Sequence, residues 1–308
     1  MNNLFQGASS TWVKYSGYEI KVATDGTRYV KPAPKAKPTV FNPLKNAEAV
    51  VVDALNVGLF QLSRRSENAV LAALMEFIHK YGLLGFITAL PTTPDFMQYD
   101  AAYLPKNHFI KAESMKSGEY TALFFPFEKP DIKGDKEEIQ FSVSGDRDML
   151  ALAMTFRNDP LAMNMSFQRE YAERYDWLLL QLQDLAFTFM TSYTYYEDYE
   201  TLDEATKDML RLGMTAYGGI APTYRIALLD KPTIIWDFHS LLLGVQMMFS
   251  FMLTDEAKPL RICRHCDKVF MAGHPNAAFC SSRCKNQYNV YKSRAKKAEG
   301  EKGAENGS

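Results

Sequence analysis

The chain has 308 residues, 47% hydrophobic and 13% aromatic, with a formal net charge of −1. That length and composition support a packed core, as one large domain with a small module or as two domains. Met1 to Gln6 is too polar for a secretory leader. The most apolar stretch, Thr233 to Leu253, is broken by Asp237, His239 and Gln246, so no membrane span is expected and the chain reads as cytoplasmic.

Taken in order, residues 1–45 are polar, with a hairpin expected from Tyr18–Ala23 and Thr27–Val30 around the turn signal Asp25-Gly26. Lys31 to Pro43 holds four prolines and three lysines and reads as an extended linker laid over the body. Residues 46–257 read as a mainly helical domain. Ser66 is the expected cap, and Gly82 the stop, of a helix with an apolar stripe through Val70, Leu71, Leu74, Phe77 and Ile78. Residues 91–145 mix prolines, glycines and short apolar runs and suggest loops with a few strands. Helices are expected over Asp146–Phe156, over Ser166–Tyr195 with a stripe from Tyr171 to Phe189, and over 203–214. Tyr224–Leu229 and Thr233–Trp236 read as two strands around Asp230 and Lys231, and Asp237 then caps a helix to about Leu253.

All four cysteines lie in the last fifth of the chain: Cys263, Cys266, Cys280 and Cys284, spaced as a pair two residues apart, thirteen residues, then a pair three apart. That is the spacing of a four-thiolate structural Zn²⁺ site, which wants four soft ligands in a tetrahedron and no open position. Two disulfides could use the same residues, but cysteine is absent elsewhere and nothing marks the chain as secreted. His265 and His274 could each replace a thiolate. His265 is expected to point away and His274 to be solvated, so the four cysteines are kept. Ser281 or Ser282 can cap the helix that follows, placing Cys284 in a first turn that favours an anion.

Arg261 to Phe270, Phe279 to Gln287 and Ser293 to Lys297 together resemble the treble-clef zinc fingers called CGNR fingers. The resemblance covers about forty residues, the length of one small zinc module. The naming tetrapeptide reads Cys284, Lys285, Asn286, Gln287 here, with the glycine and arginine replaced. The resemblance implies a finger at the end of a mainly helical body in a bacterial DNA-binding transcription regulator. The fold class expected is therefore mainly α with small β elements (α+β): a helical body, a finger over 258–298 with a basic helix, and a disordered tail over 299–308.

The near-neutral total charge hides an asymmetry. Residues 1–257 carry 24 Lys and Arg against 32 Asp and Glu, a net of −8; residues 258–298 carry 10 against 1, a net of +9. A polyanion is expected to meet the finger and not the body. At about 100° per residue, Cys284, Tyr288, Tyr291 and Ala295 share a face that turns to the metal. Lys285, Lys292 and Lys296 form one flanking stripe, and Arg283, Arg294 and Lys297 the other. Asn286 and Gln287 lie outward near the arginines. Lys and Arg would neutralise phosphates while Asn and Gln reach base edges or sugars, so the expected partner is nucleic acid, DNA in preference to RNA.

The alternative is a protein-interaction adaptor whose finger is structural or docks an acidic surface, the body included; a homodimer or a partner through the helical body is also open. No phosphate loop, nucleophile elbow or metalloprotease helix is present, and an enzyme is not expected. Asp53 and Asn56 could make a polar site, though a cap or buried hydrogen bond is the simpler reading. His79, His108 and His239 are isolated. Tyr193 to Glu200 could be an acidic, aromatic partner patch or a solvated helix end. Met247, Met248 and Met252 fit core packing.

Overall fold

The computed structural model describes residues 10–63, 65–90, 99–104, 107–129, 165–215, 223–228, 230–238, 240–255, 258–274 and 276–305. It is mainly helical with small sheets. Four short strands come first: β1 (Trp12–Tyr15), β2 (Tyr18–Val22), β3 (Arg28–Pro32) and β4 (Pro38–Phe41). β2 and β3 form the expected hairpin. Gly26 supplies the positive φ of its turn (84°), and Asp25 accepts from the Thr27 N–H.

Residues 31–43 are not a linker. β4 pairs antiparallel with β1, Lys31 is buried in β3, and Trp12, Val13, Tyr15, Val30 and Ala36 belong to the main core. β1 is buried on both faces: Trp12, Val13 and Tyr15 are buried and Lys14 is half-buried, and the Trp12 indole donates to the Leu83 carbonyl at 2.9 Å.

The helical body starts with α1 (Ala47–Leu62) and α2 (Glu67–Tyr81). α2 begins and ends where capping chemistry says: Ser66 Oγ accepts from the Ala69 N–H, and Gly82, at φ 86°, stops the helix. A short α3 (Phe86–Ala89), the β5 (Ala101–Tyr103) and β6 (Ser114–Lys116) hairpin, and α4 (Ser117–Ala122) follow. The helix expected over Asp146–Phe156 and about half of 91–145 lie outside the described residues.

The long helix starts later than its stripe suggests. Residues 166–172 are turns, Glu173 and Arg174 form strand β7 beside β3, and α5 runs Tyr175–Glu197. Glu173 is the cause. It is fully buried, and its carboxylate accepts the N–H groups of Leu84 (2.8 Å), Gly85 (2.6 Å) and Phe86 (2.9 Å) and the hydroxyl of Tyr171 (2.6 Å). Gly85, at φ 81°, turns the chain so that three successive N–H groups converge on this one anion. Extended backbone at Glu173 is needed to reach them.

α1 lies along α5, and Gly58 marks their closest approach. A Cβ there would collide with the Leu182 carbonyl oxygen and Ala186 Cβ. Gly58→Ala will therefore lower stability by about 1–3 kcal/mol, although alanine gains up to about 1 kcal/mol of helix propensity. A urea midpoint unchanged or raised by the substitution would contradict the close crossing.

The chain continues through α6 (Glu204–Thr215), capped by Asp203, which accepts from the Thr206 N–H at 2.8 Å, and through the expected hairpin of β8 (Thr223–Leu228) and β9 (Pro232–Asp237). Asp237 ends β9 and is not the cap of the next helix. Ser240 is, accepting from the Leu243 N–H at 3.1 Å, and α7 spans Leu241–Leu253. Met247, Met248 and Met252 are core residues. Among the described residues no helix is long and apolar enough to cross a membrane.

Candidate metal centre

The last segment is a hairpin followed by a helix. β10 (Leu260–Ile262) pairs antiparallel with β11 (Val269–Met271), and α8 spans Ser282–Glu305, continuing into the terminal ten residues. Between the strands the chain makes a tight knuckle. The Cys263 N–H donates to the Lys268 carbonyl at 2.9 Å, the Asp267 N–H to the Cys263 carbonyl at 3.0 Å, and Asp267 takes a left-handed φ of 58°. Aspartate tolerates that region better than bulky residues do. Ser281 rather than Ser282 caps α8: its Oγ accepts from the Cys284 N–H at 3.2 Å.

These turns gather the four cysteines. Their sulfurs all lie within 4.8 Å of one another, with Cys266 to Cys280 at 3.7 Å and Cys280 to Cys284 at 3.5 Å. Four thiolates about 2.3 Å from a central zinc would sit about 3.8 Å apart at the corners of a tetrahedron. The donor set thus fits a soft divalent ion, with no open position. Cys263 is fully buried and the other three are partly or wholly exposed.

The electrostatics point the same way. Burial raises the Cys263 thiol, but N–H groups of Cys280, His265 and Cys266 outweigh it and bring its pKa down to about 6. Cys280 is pushed up to about 12, first by burial and then by the sulfurs of Cys284, Cys263 and Cys266. Burial also raises Cys266. One thiolate forms readily, and its neighbours resist a second negative charge. A divalent cation at the centre would remove that resistance.

The hairpin is fixed to the body. Asn56, on α1, matches the β11 backbone: its Oδ1 accepts the Val269 N–H at 2.8 Å, and its Nδ2 donates to the Val269 carbonyl at 3.1 Å. Leu260 and Val269 are buried in the main core. Arg261 pairs with Glu197 at the end of α5, Lys258 lies 4.0 Å from Glu48, and the Lys268 ammonium sits 5.9 Å from the Phe60 ring centroid. The Asn56 reading as a buried hydrogen bond holds, but its partner is 213 residues away and no local sequence signal marks it. Asp53 is separate: it accepts from the Tyr81 hydroxyl at 2.8 Å and from Lys80 at 3.2 Å.

Asn56→Ala leaves the half-buried Val269 N–H without its acceptor. It will cost about 1–3 kcal/mol and speed exchange of the Val269 amide far more than that of amides in α2. Equal exchange rates in the variant and the parent would remove Asn56 from the docking.

The helix behaves differently from the hairpin. Cys284, Gln287 and Tyr288 are half-buried, and Tyr288 packs on Phe279 with ring centroids 5.2 Å apart. From Asn289 to Ala295 every residue is exposed, Tyr291 by 59% even though it stacks on His265. The expected seam through Tyr291 and Ala295 therefore ends after two turns. Arg283, Lys285, Asn286, Lys292 and Arg294 are exposed, and the side chains of Lys296 and Lys297 lie outside the described residues. Gln287 is not a free outward group: its Oε1 lies 3.0 Å from His265 Nε2. His265 is thus turned to the helix and away from the sulfurs. His274 is exposed.

The other candidates do not converge. His79 contacts the Met75 carbonyl, His108 lies 3.6 Å from Asp184, and His239 is outside the described residues. The aromatic stretch from Tyr193 is partly used within the chain: Arg211 donates to the Tyr195 hydroxyl at 3.1 Å, and Lys207 sits 4.2 Å from the Tyr199 ring centroid. Compared with known proteins, the chain matches no family model, no curated protein and no solved structure.

Proposed function

We propose that the chain is a zinc-stabilised nucleic-acid-binding protein, a transcription regulator of the CGNR-finger type that presents its last helix to DNA. Zinc would be structural, held by Cys263, Cys266, Cys280 and Cys284, because four thiolates leave no coordination position for a substrate. The observation that carries the reading is the division of positive charge within the finger. Lys258, Arg261 and Lys268, on the hairpin, are turned to the body. Arg283, Lys285, Lys292 and Arg294, on α8, are exposed. The acidic body therefore leaves the basic helix uncovered. A helix of this kind, about 36 Å long at 1.5 Å per residue, can follow a phosphate backbone, with Asn286 free to reach a base edge or sugar.

The test is fluorescence anisotropy with duplex DNA across a salt series, on the intact metal-loaded chain. Binding will weaken steeply with salt. Lys292→Gln will weaken it alike for all sequences and flatten the slope of log K against log salt by about 0.9. Truncation before the hairpin is a poor comparison, since it uncovers Asn56 and the core under Val269. Failure to bind at low salt would sink this reading. The hairpin contacts favour a second one in that case: an adaptor in which the finger braces the body and α8 docks an acidic protein surface.

A further inference from the structure

We propose that the β8–β9 hairpin docks a second copy of this chain, face to face, through the apolar side that it turns to solvent.

The register of the hairpin defines that side. Tyr224 stands opposite Trp236, Ile226 opposite Ile234 and Leu228 opposite Pro232. Directly opposed residues of an antiparallel pair point to the same face, so this face carries six apolar side chains and no charge. Tyr224 is 64% exposed, Ile226 72%, Leu228 83% and Ile234 41%. Ala227, Thr233 and Ile235, on the other side, are half-buried. Apolar residues exposed singly are ordinary, but a contiguous patch of them marks an interaction surface.

The sheet consists of these two strands alone. At its base Trp236 stacks on buried Phe238, with ring centroids 6.2 Å apart, and Tyr224 packs on Trp236 at 5.8 Å. Beyond that base Ile226, Leu228 and Ile234 project into water. A lone two-stranded sheet is marginal in water, and covering its apolar face would stabilise it.

The area suits a dimer. With about 130 Å² for a full Ile or Leu side chain and about 200 Å² for an aromatic one, the four exposures come to on the order of 400 Å² per copy. Pro232, which is exposed, and the outer edge of Trp236 enlarge the patch. Two such faces bury roughly 1,000 Å² in total, the threshold for a specific interface.

Charge selects the occupant. Arg225 and Lys231 cancel Asp230 and Asp237 on the hairpin, and the whole chain carries only −1, so two copies meet almost without repulsion. An anionic membrane would face the net −8 of residues 1–257 and find no basic rim on the hairpin. A charged foreign segment would lose hydration against a face that offers it no partner. An identical patch related by a two-fold axis avoids both costs, and sheet faces pack about 10 Å apart in this way. The proposal does not rest on the nucleic-acid reading and would stand if that reading fell.

The experiment is sedimentation velocity of the full-length, metal-loaded protein. Between about 1 and about 200 µM the parent will pass from monomer to dimer, with a Kd on the order of 10 µM, the weak end expected of so small an interface. Ile226→Asp sets two like charges in the seam and will weaken the dimer at least about a hundredfold. Its melting temperature at about 1 µM, where the parent is monomeric, will match the parent's, because Ile226 is exposed in the monomer. Val22→Asp, on β2 at a residue 58% exposed, will dimerise like the parent. A parent that stays monomeric throughout, a dimer that survives Ile226→Asp, or an equal loss in Val22→Asp would overturn the assignment. So would a lower melting temperature for dilute Ile226→Asp, which would show the face covered within the chain. Flotation of the parent but not of Ile226→Asp with phosphatidylserine vesicles would overturn it too, and give the face to a lipid surface.

Discussion

On the proposed zinc reading, replacing Cys263 with serine will release the metal and loosen the whole C-terminal segment. Cys263 is the fully buried member of the four, and its backbone closes the knuckle that aims the others. The hairpin has three residues per strand and cannot hold its shape on buried area alone. In small zinc modules the metal supplies about 10–16 kcal/mol of apparent binding energy, and that energy is folding energy. Loss of one thiolate removes most of it. The effect spreads inward, because Leu260 and Val269 belong to the main core and, among the described residues, Asn56 is satisfied by Val269 and Val52. Metal content will fall from one zinc per chain to near zero, the Val269 amide will exchange freely, and the melting temperature will drop. One zinc per chain and an unchanged melting curve in Cys263→Ser would refute a structural four-thiolate site.

The second large effect is expected at Glu173. Burial pushes its carboxyl up from the ordinary range, and the Tyr171 hydroxyl and the N–H groups of Phe86, Leu84 and Gly85 pull it back. Glu173→Ala would strand all four donors in a dry interior. Each unsatisfied group costs about 1–3 kcal/mol, so a loss of at least about 3 kcal/mol is expected, a large fraction of a typical domain's stability. Glu173→Gln keeps one acceptor oxygen but turns an amide NH₂ toward the remaining donors, so it will lie between alanine and the parent. Urea unfolding of the three proteins checks the order. A midpoint for Glu173→Ala within about 0.5 kcal/mol of the parent would show that these contacts carry no stability.

What was legible in the sequence was whatever chemistry is local. Ser66 and Gly82 bound α2 because a cap hydroxyl and a left-handed glycine act on their own helix. The Asp25-Gly26 turn fixed its hairpin for the same reason. The four cysteines declared their site because their spacing is itself the constraint. What was hidden depends on distant partners. Tyr171 continues the stripe of α5 by spacing, yet the carboxylate of Glu173 must reach three N–H groups almost ninety residues away, and the helix cannot begin until it has. Lys31 to Pro43 has a linker's composition, but Trp12 to Tyr15 provides a strand to pair with. Asp237 and Ser240 are both good caps, and the length of β9 decided between them. Asn56 has the sequence context of an ordinary helix residue, and its use at the finger is written only in three dimensions.

The early strands have a consequence for how the chain is made. The Tyr15 hydroxyl donates to the Phe167 carbonyl, 152 residues on, and β3 completes its sheet only with β7. A ribosome adding about 5–20 residues per second needs on the order of 10–30 s to cover that distance. For that interval β1 can already pair with β4 and β2 with β3, but Tyr15 lacks its Phe167 acceptor and β3 its β7 neighbour. The early strands are thus among the last elements to complete their contacts, although their own hairpin forms locally.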